Sequence, residues 1–190
     1  SKVDEPKKLY LLINSPGGIP PSCYNIAHML RSCFPYVKAF IPQMALSGGA
    51  LIALSSNELV MGAASRLSPV DVQVGYGESH VSAYSMGKAL SRLTEYFRTL
   101  RAEEAPYPWR AMADKLDPVI LEAWSTSLGE IGRYATELLR ASGYSEEECR
   151  KVVKALVLTD NTHSFVIHRD RAKEIGLRIS DDPQDAKILN

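Results

Sequence analysis

Short apolar runs alternate with turns rich in glycine and proline along the first third of the chain. Three such runs are bounded by turns: residues 8–13, 37–41 and 58–61. Their length and their flanking turns predict buried strands. Pro20 opens a stretch that predicts a helix to about Cys33, since proline suits a first helical turn. A second helix, apolar on all sides, is predicted to begin near Ser47. This alternation predicts an α/β fold with parallel strand pairing.

The second half of the chain has the periodicity of helices. Apolar positions mark one face over residues 86–100 and another over residues 120–139. Ser145 and Glu148 have the spacing of a capping box at the start of a third helix. A short helix is predicted to stop at Gly176 and to be followed by a strand.

Two other stretches lack a regular pattern and are predicted to be loops. They are residues 66–71 and the glycine-rich residues 75–80. Because glycine makes a segment flexible, the second loop is a candidate lid or substrate loop.

Composition and charge narrow the class of protein. The 190 residues are 45% hydrophobic and 23% charged, as in an ordinary soluble globular domain. Lys and Arg number 22, as do Asp and Glu, so a basic footprint for nucleic acid or a membrane surface is absent. The sequence shows no signal peptide and no apolar run of the roughly 18 residues that a transmembrane helix needs. We expect a cytoplasmic protein without nucleic acid, and a membrane tether on residues outside this sequence stays an open alternative.

The metal-binding residue types are sparse and scattered. Cys23, Cys33 and Cys149 are odd in number and have no CxxC spacing, which indicates reduced, buried thiols. The carboxylates and histidines do not form a cluster with metal-ligand spacing. We therefore expect no catalytic metal and no cofactor.

Two glycine-rich turns, each after an apolar run, are the candidate chemistry: residues 15–18 (SPGG) and 47–49 (SGG). Glycine lets the backbone approach a ligand closely. A serine at the start of a buried helix lies near free N–H groups and the positive end of the helix dipole, and a nucleophilic serine needs such donors for its oxyanion. The plainer alternative is that Ser47 only caps its helix and the glycines only form turns.

These turns and their neighbours resemble known serine peptidases. Residues 12–18 (LINSPGG) and 44–49 (MALSGG) resemble the Clp protease proteolytic subunit and signal peptide peptidase A. The closer resemblance is to the serine dehydrogenase proteinase family, and it rests on these segments: 45–54 (ALSGGALIAL), 57–61 (NELVM), 68–73 (SPVDVQ), 162–163 (TH) and 173–177 (KEIGL). It implies a ClpP/crotonase-like fold of repeated ββα units with a parallel sheet and a helical C-terminal half. Residues 1–190 would form a single domain whose N-terminal strands precede this sequence.

The resemblance implies roles for three residues and an activity. Ser47 would be the nucleophile, and the N–H groups of Gly18 and Gly48 would form the oxyanion hole. The chain would be an ATP-independent serine endopeptidase that acts on peptides or proteins as a homo-oligomer. Two alternatives stay open: an acyl-CoA-binding enzyme of the crotonase type, and a catalytically inactive scaffold of the same fold.

The base that activates the serine has two candidates. Signal peptide peptidase A and its archaeal relatives use a Ser–Lys dyad, and Lys88 follows Ser47 by 41 residues, a spacing similar to that of the archaeal membrane-associated branch. A Clp-like triad would instead combine Ser47 with His163 and Asp71, their positions exchanged relative to the Clp subunit. The absence of a histidine at the Clp position motivates the scaffold alternative. We favour Lys88 on the spacing.

Overall fold

The computed structural model describes residues 8–76, 79–98, 111, 117–159 and 163–189. The chain divides into two compact units, one formed by residues up to Val70 and from Ile131 onward, the other by residues from Asp71 to Glu130. We call them unit 1 and unit 2. A single domain over residues 1–190 stays a prediction.

Among the described residues, unit 1 holds the parallel sheets and most of the helices. Its elements before the boundary are, in order, β1 (Lys8–Leu12), α1 (Pro20–Cys33), β2 (Tyr36–Ile41), β3 (Met44–Ala45), α2 (Gly48–Ala53), β4 (Glu58–Met61) and β5 (Arg66–Leu67). Unit 2 contains β6 (Gln73–Tyr76), β7 (Ser79–Ser82) and α3 (Ala83–Arg98), and α4 (Pro118–Ala141) runs across the boundary in the chain. Unit 1 ends with α5 (Glu146–Leu156), α6 (Arg169–Glu174) and α7 (Pro183–Ile188).

The main sheet has the strand order β1-β2-β4, and both pairings are parallel. Val37, Ala39 and Ile41 of the central strand share one face of the sheet and are fully buried, and Phe40 on the opposite face is also buried. Burial on both faces is typical of parallel sheets. Between β1 and β2 runs α1, with prolines at its first positions. The predicted α/β fold with parallel pairing is confirmed, and so is the helix from Pro20 to Cys33.

A second parallel pair lies beside the turns that carry the candidate chemistry. Its two strands, β3 and β5, pair through Met44 with Arg66 and Ala45 with Leu67. The predicted loop at residues 66–71 is therefore wrong at its first two positions. Leu67 is 1% exposed, and its burial requires a partner for its backbone groups, which a ladder supplies.

The C-terminal half is helical, as predicted. In the capping box of α5, Ser145 Oγ accepts from Glu148 N, and a Glu148 carboxylate oxygen accepts from Ser145 N at 2.6 Å. Gly176 has a φ of 104° just after α6. The strand predicted after it is reduced to one parallel bridge between Leu59 and Ile179, and the pattern did not predict α7.

Unit 2 begins with an antiparallel hairpin of β6 and β7. The loop predicted at residues 75–80 is wrong, because Gly75 pairs with His80 and Tyr76 with Ser79 within this ladder. Residues 77–78, between the strands, lie outside the described residues, as do the last two positions of the apolar face predicted at residues 86–100.

Candidate active site

Ser47 has an unusual backbone conformation. Its φ is 47° and its ψ is −114°, and among the described residues it is the one non-glycine with a positive φ. A side chain in such a region costs about 1–3 kcal/mol and persists where the surroundings fix it. The Ser47 side chain makes no capping hydrogen bond to α2. Ser47 thus lies at the start of the helix as predicted, but the alternative in which its hydroxyl caps the helix is wrong.

The turn at residues 15–18 is held beside the strand that leads to Ser47. Ser15 N donates to Met44 O at 2.9 Å, and Leu46 N donates to Ser15 O at 3.0 Å. Gly17 has a φ of 130°, and a Cβ there would lie 3.1 Å from Ser47 Cβ. Glycine is therefore required at position 17 by both conformation and space.

The backbones of Gly18 and Gly48 are in direct contact. A Cβ on Gly48 would lie 2.8 Å from Gly18 O and 3.0 Å from Gly18 N. Within the described part of the chain, neither glycine N–H donates a hydrogen bond to another residue. Two such backbone N–H groups next to a serine in a strained conformation are suited to stabilise an oxyanion.

The Cys23 side chain packs against both glycines. Its Sγ would lie 3.1 Å from a Cβ on Gly18 and 2.5 Å from a Cβ on Gly48. Burial on the first turn of α1 raises the pKa of the Cys23 thiol, so the group acts as a small apolar filler.

All three cysteines are free, but Cys33 is exposed, contrary to the prediction, because it lies on the outer side of the last turn of α1. Sequence reasoning missed the contact of Cys23 with the glycines, since spacing along a chain does not reveal it.

Ser68 is a second residue that sequence reasoning did not single out. Its side chain is buried, and its Oγ accepts a hydrogen bond from Ser47 N at 2.8 Å. It follows β5, whose pairing with β3 brings it alongside Ser47. The sequence marks residues 68–73 only through the family resemblance, and nothing in the pattern identifies this hydroxyl.

Two residues of the candidate base schemes, Lys88 and Asp71, belong to unit 2. Lys88 lies on α3, half-buried, with its Nζ 5.8 Å from the ring centroid of Tyr84. Asp71 is buried and accepts hydrogen bonds from Ser82 Oγ at 2.8 Å and from Gln73 Nε2. These contacts are internal to unit 2, and the roles of Lys88 and Asp71 toward Ser47 stay predictions.

His163, the candidate base of the triad scheme, belongs to unit 1. It is half-buried and precedes Ile167, which pairs with Leu67 in an antiparallel bridge. Leu67 is the neighbour of Ser68 in the sequence. Residue 162, which precedes His163 in the TH segment, lies outside the described residues. The role of His163 as a base also stays a prediction.

The ranges that the structure describes contain neither a group of metal-ligand side chains nor a candidate membrane span. In those ranges, no three His, Cys, Asp or Glu side chains are grouped so that they could hold a metal ion. No helix among the same residues combines the length and apolar character needed to cross a membrane.

Comparison with known proteins relates the chain to serine proteinases. Residues 2–94 match the family described as ClpP-like SDH-type serine proteinase. Two uncharacterized proteins of Methanocaldococcus jannaschii, MJ0137 and MJ1495, are 27% identical over 187 residues and 26% identical over 170 residues. The alignments cover 96% and 90% of this chain but 57% and 51% of those proteins. The chain thus spans just over half the length of the curated relatives that it matches.

The fold has a solved counterpart. A variant of the 1510-N membrane-bound stomatin-specific protease, in complex with a substrate peptide, superposes with a TM-score of 0.54 and 16% sequence identity. The match covers 94% of this chain and 63% of that chain. At this identity the likeness concerns the fold. The predicted resemblance to the ClpP-like serine proteinase family and the predicted fold class are both confirmed.

Proposed function

We propose that this chain, whose residues 2–94 match the ClpP-like SDH-type serine proteinases, hydrolyses peptide bonds with Ser47 as its nucleophile. The observation that carries the proposal is the strained backbone of Ser47 beside two glycine N–H groups that have no acceptor among the described residues. Strain of this kind is typical of functional sites. Ser47 attacks the scissile carbonyl carbon, and the N–H groups of Gly18 and Gly48 bind the oxygen as it becomes negative.

The reaction follows the usual sequence of covalent catalysis. A base takes the Ser47 hydroxyl proton as the Oγ–carbon bond forms, and the tetrahedral intermediate expels the amine, which receives a proton. Water then hydrolyses the acyl-serine ester, and Ser47 is regenerated. Each oxyanion donor contributes about 10²–10³ to the rate of such reactions. No step requires ATP.

Lys88 is the base in this proposal and forms a Ser–Lys dyad with Ser47. A lysine acts as a base only when its environment favours the neutral amine, and Lys88 is half-buried on α3 rather than fully solvated. The alternative is His163 with Asp71, in which the carboxylate would orient the imidazole. Both schemes leave the roles of Ser47, Gly18 and Gly48 unchanged.

The substrate in this proposal is an extended peptide or protein segment. Strand β1 leads into the turn at residues 15–18, and among the described residues it pairs on one side only, with β2. Its outward side chains Tyr10 and Leu12 are each 66% exposed. An extended backbone adds to such an edge through main-chain hydrogen bonds. The homo-oligomer is likewise a proposal, tested by the mass of the purified protein in solution.

The proposal is tested by labelling with a fluorophosphonate probe, which reacts with activated serines. The wild type is expected to react, and Ser47→Ala is expected to lose the label while keeping its circular-dichroism spectrum. Ser22→Ala, an exposed serine on α1, is the matched control and keeps the label. A labelled Ser47→Ala would contradict the proposal. A wild type without label would favour the two alternatives, the acyl-CoA enzyme and the inactive scaffold. Binding of a CoA thioester would then distinguish the first alternative from the second.

A further inference from the structure

We propose that Ser68 is a positioning residue that holds the nucleophile in its reactive conformation. Its hydroxyl oxygen accepts the backbone N–H of Ser47 at 2.8 Å. The inference rests on the proposed function of Ser47 and adds a residue that acts on the nucleophile through its backbone.

The need for this hydroxyl follows from the way the chain leaves the β3–β5 ladder. The ladder pairs Met44 with Arg66 and Ala45 with Leu67. The next N–H, from Leu46, donates to Ser15 O instead of to β5. At Ser47 the backbone has turned away from extended geometry, and a side chain takes the place of a backbone carbonyl as acceptor.

The Ser68 hydroxyl is suited to be an acceptor at this position. Its oxygen lies 3.2 Å from Pro69 O, to which its own proton is donated. The lone pairs of the oxygen are then available to the Ser47 N–H. Ser68 is 2% exposed, so water has little access to replace the hydroxyl if it is removed, and a buried N–H without an acceptor is costly.

A shift at the Ser47 backbone would reach both parts of the proposed site. The Ser47 side chain lies close to Gly17, since a Cβ added to Gly17 would be 3.1 Å from Ser47 Cβ. The next peptide N–H belongs to Gly48, one of the two proposed oxyanion donors. Loss of the Ser68 bond is therefore expected to impair the chemical step, while substrate binding along the edge of β1 is left intact.

The test compares Ser68→Ala with Ser65→Ala as a matched control. Ser65 is also buried and directly precedes β5. Its hydroxyl accepts a hydrogen bond from Gly62 N and donates one to Ile41 O, and it does not bond to Ser47. Ser68→Ala is expected to reduce the fluorophosphonate labelling rate and kcat on a peptide substrate by about tenfold or more, with KM changed by less than about twofold. Ser65→Ala is expected to retain the wild-type labelling rate, and Ser68→Thr, which keeps a hydroxyl, to recover most of the loss.

A second measurement reports on the hydrogen bond itself. Amide hydrogen exchange at Ser47 is expected to accelerate about tenfold or more in Ser68→Ala, whereas exchange at Leu51, whose N–H donates to Ser47 O, stays as in the wild type. If Ser68→Ala does not fold, Ser68→Cys keeps the shape with a weak acceptor and is expected to show the same losses.

The outcomes separate this inference from the proposed function. If the wild type is labelled and Ser68→Ala matches it in labelling and in exchange at Ser47, the role of Ser68 is overturned and the function of Ser47 stands. If the wild type is not labelled, the proposed function fails and the positioning role fails with it. Reduced kcat, unchanged KM and faster exchange in Ser68→Ala together support the proposal.

Discussion

Gly48 has no space for a side chain. A Cβ there would lie 2.5 Å from Cys23 Sγ and 2.8 Å from Gly18 O. In Gly48→Ala we expect the backbone of Gly18 to be pushed away and the proposed oxyanion pair to be lost, which lowers the fluorophosphonate labelling rate by about 10²–10³. The labelling rate of the purified variant, beside its thermal unfolding midpoint, checks this expectation.

Gly18 provides the contrasting case at the same site. A Cβ on Gly18 would lie 3.1 Å from Cys23 Sγ and, apart from its chain neighbours, within 4 Å of no other atom of the described residues. Gly18→Ala is therefore expected to lose less labelling than Gly48→Ala, and Cys23→Ala in the same chain is expected to restore most of it. The same second change does not rescue Gly48→Ala, because Gly18 O remains in the way. Equal rescue of both glycine variants would contradict this account of the packing.

At the scale of a single element, α5 depends on its capping box. The Ser145 hydroxyl accepts from Glu148 N, and removal of such a cap costs about 0.5–2 kcal/mol. Ser145→Ala is expected to lower the free energy of unfolding by about 1 kcal/mol, without change in the labelling of Ser47. Urea unfolding measures the first quantity. Ser125→Ala, at an exposed position of α4, is the control, and an equal loss in both variants would argue against the cap.

The contact between α7 and the sheet is electrostatic. Lys38 Nζ on β2 bonds Asp185 Oδ2 of α7 and Glu58 Oε2 of β4. Hydrogen bonds from Lys38 and Ser180 lower the pKa of Asp185. Burial alone would lower the pKa of Lys38, but its hydrogen bonds to the two carboxylates outweigh burial and raise the pKa.

These two shifts predict how stability depends on pH. Asp185 has a lowered pKa in the folded state, so its contribution is complete above the ordinary carboxyl value of 3.8 and is lost as the pH falls through the folded value. Lys38 has a raised pKa, so its contribution is complete below 10.5 and is lost as the pH rises further. Asp185→Asn is expected to flatten the acid limb of the urea midpoint plotted against pH. Glu147→Gln, an exposed carboxylate on α5, is expected to keep the wild-type slope there, and a wild-type slope in Asp185→Asn would contradict the prediction.

At the level of the whole molecule, the question is which unit supplies the base that takes the Ser47 proton. Lys88 comes from unit 2, whereas His163 comes from unit 1 with Ser47. With Lys88 as base, Lys88→Ala is expected to reduce labelling by about 10²-fold or more, and His163→Ala to leave it within about twofold. Lys88→Arg keeps the positive charge but cannot give up its proton, so it is expected to be as defective as Lys88→Ala. Full labelling of Lys88→Arg, or loss in His163→Ala, would support the histidine scheme instead.

Local patterns along the chain were sufficient for the larger elements. The helices at Pro20–Cys33 and Pro118–Ala141 and the capping box at Ser145 follow from proline placement, apolar spacing and side chains three residues apart. Each of these signals depends on contacts within one or two helical turns. The sequence did not predict the short strand β5 or the hairpin of β6 and β7, and it predicted a full strand after Gly176 where the structure has one bridge. The reason is that a strand exists only where a partner segment pairs with it.

The α/β class, the two glycine-rich turns and Ser47 as the candidate nucleophile follow from the amino-acid sequence. The folded chain alone shows that Gly48 contacts Gly18, that Cys23 packs against both glycines, and that Ser68 Oγ accepts the Ser47 N–H. Ser68 follows Ser47 by 21 positions, and its role depends on the register of β3 with β5. That register results from the burial of side chains and the pairing of backbone groups across segments, so a pattern read along one segment does not contain it.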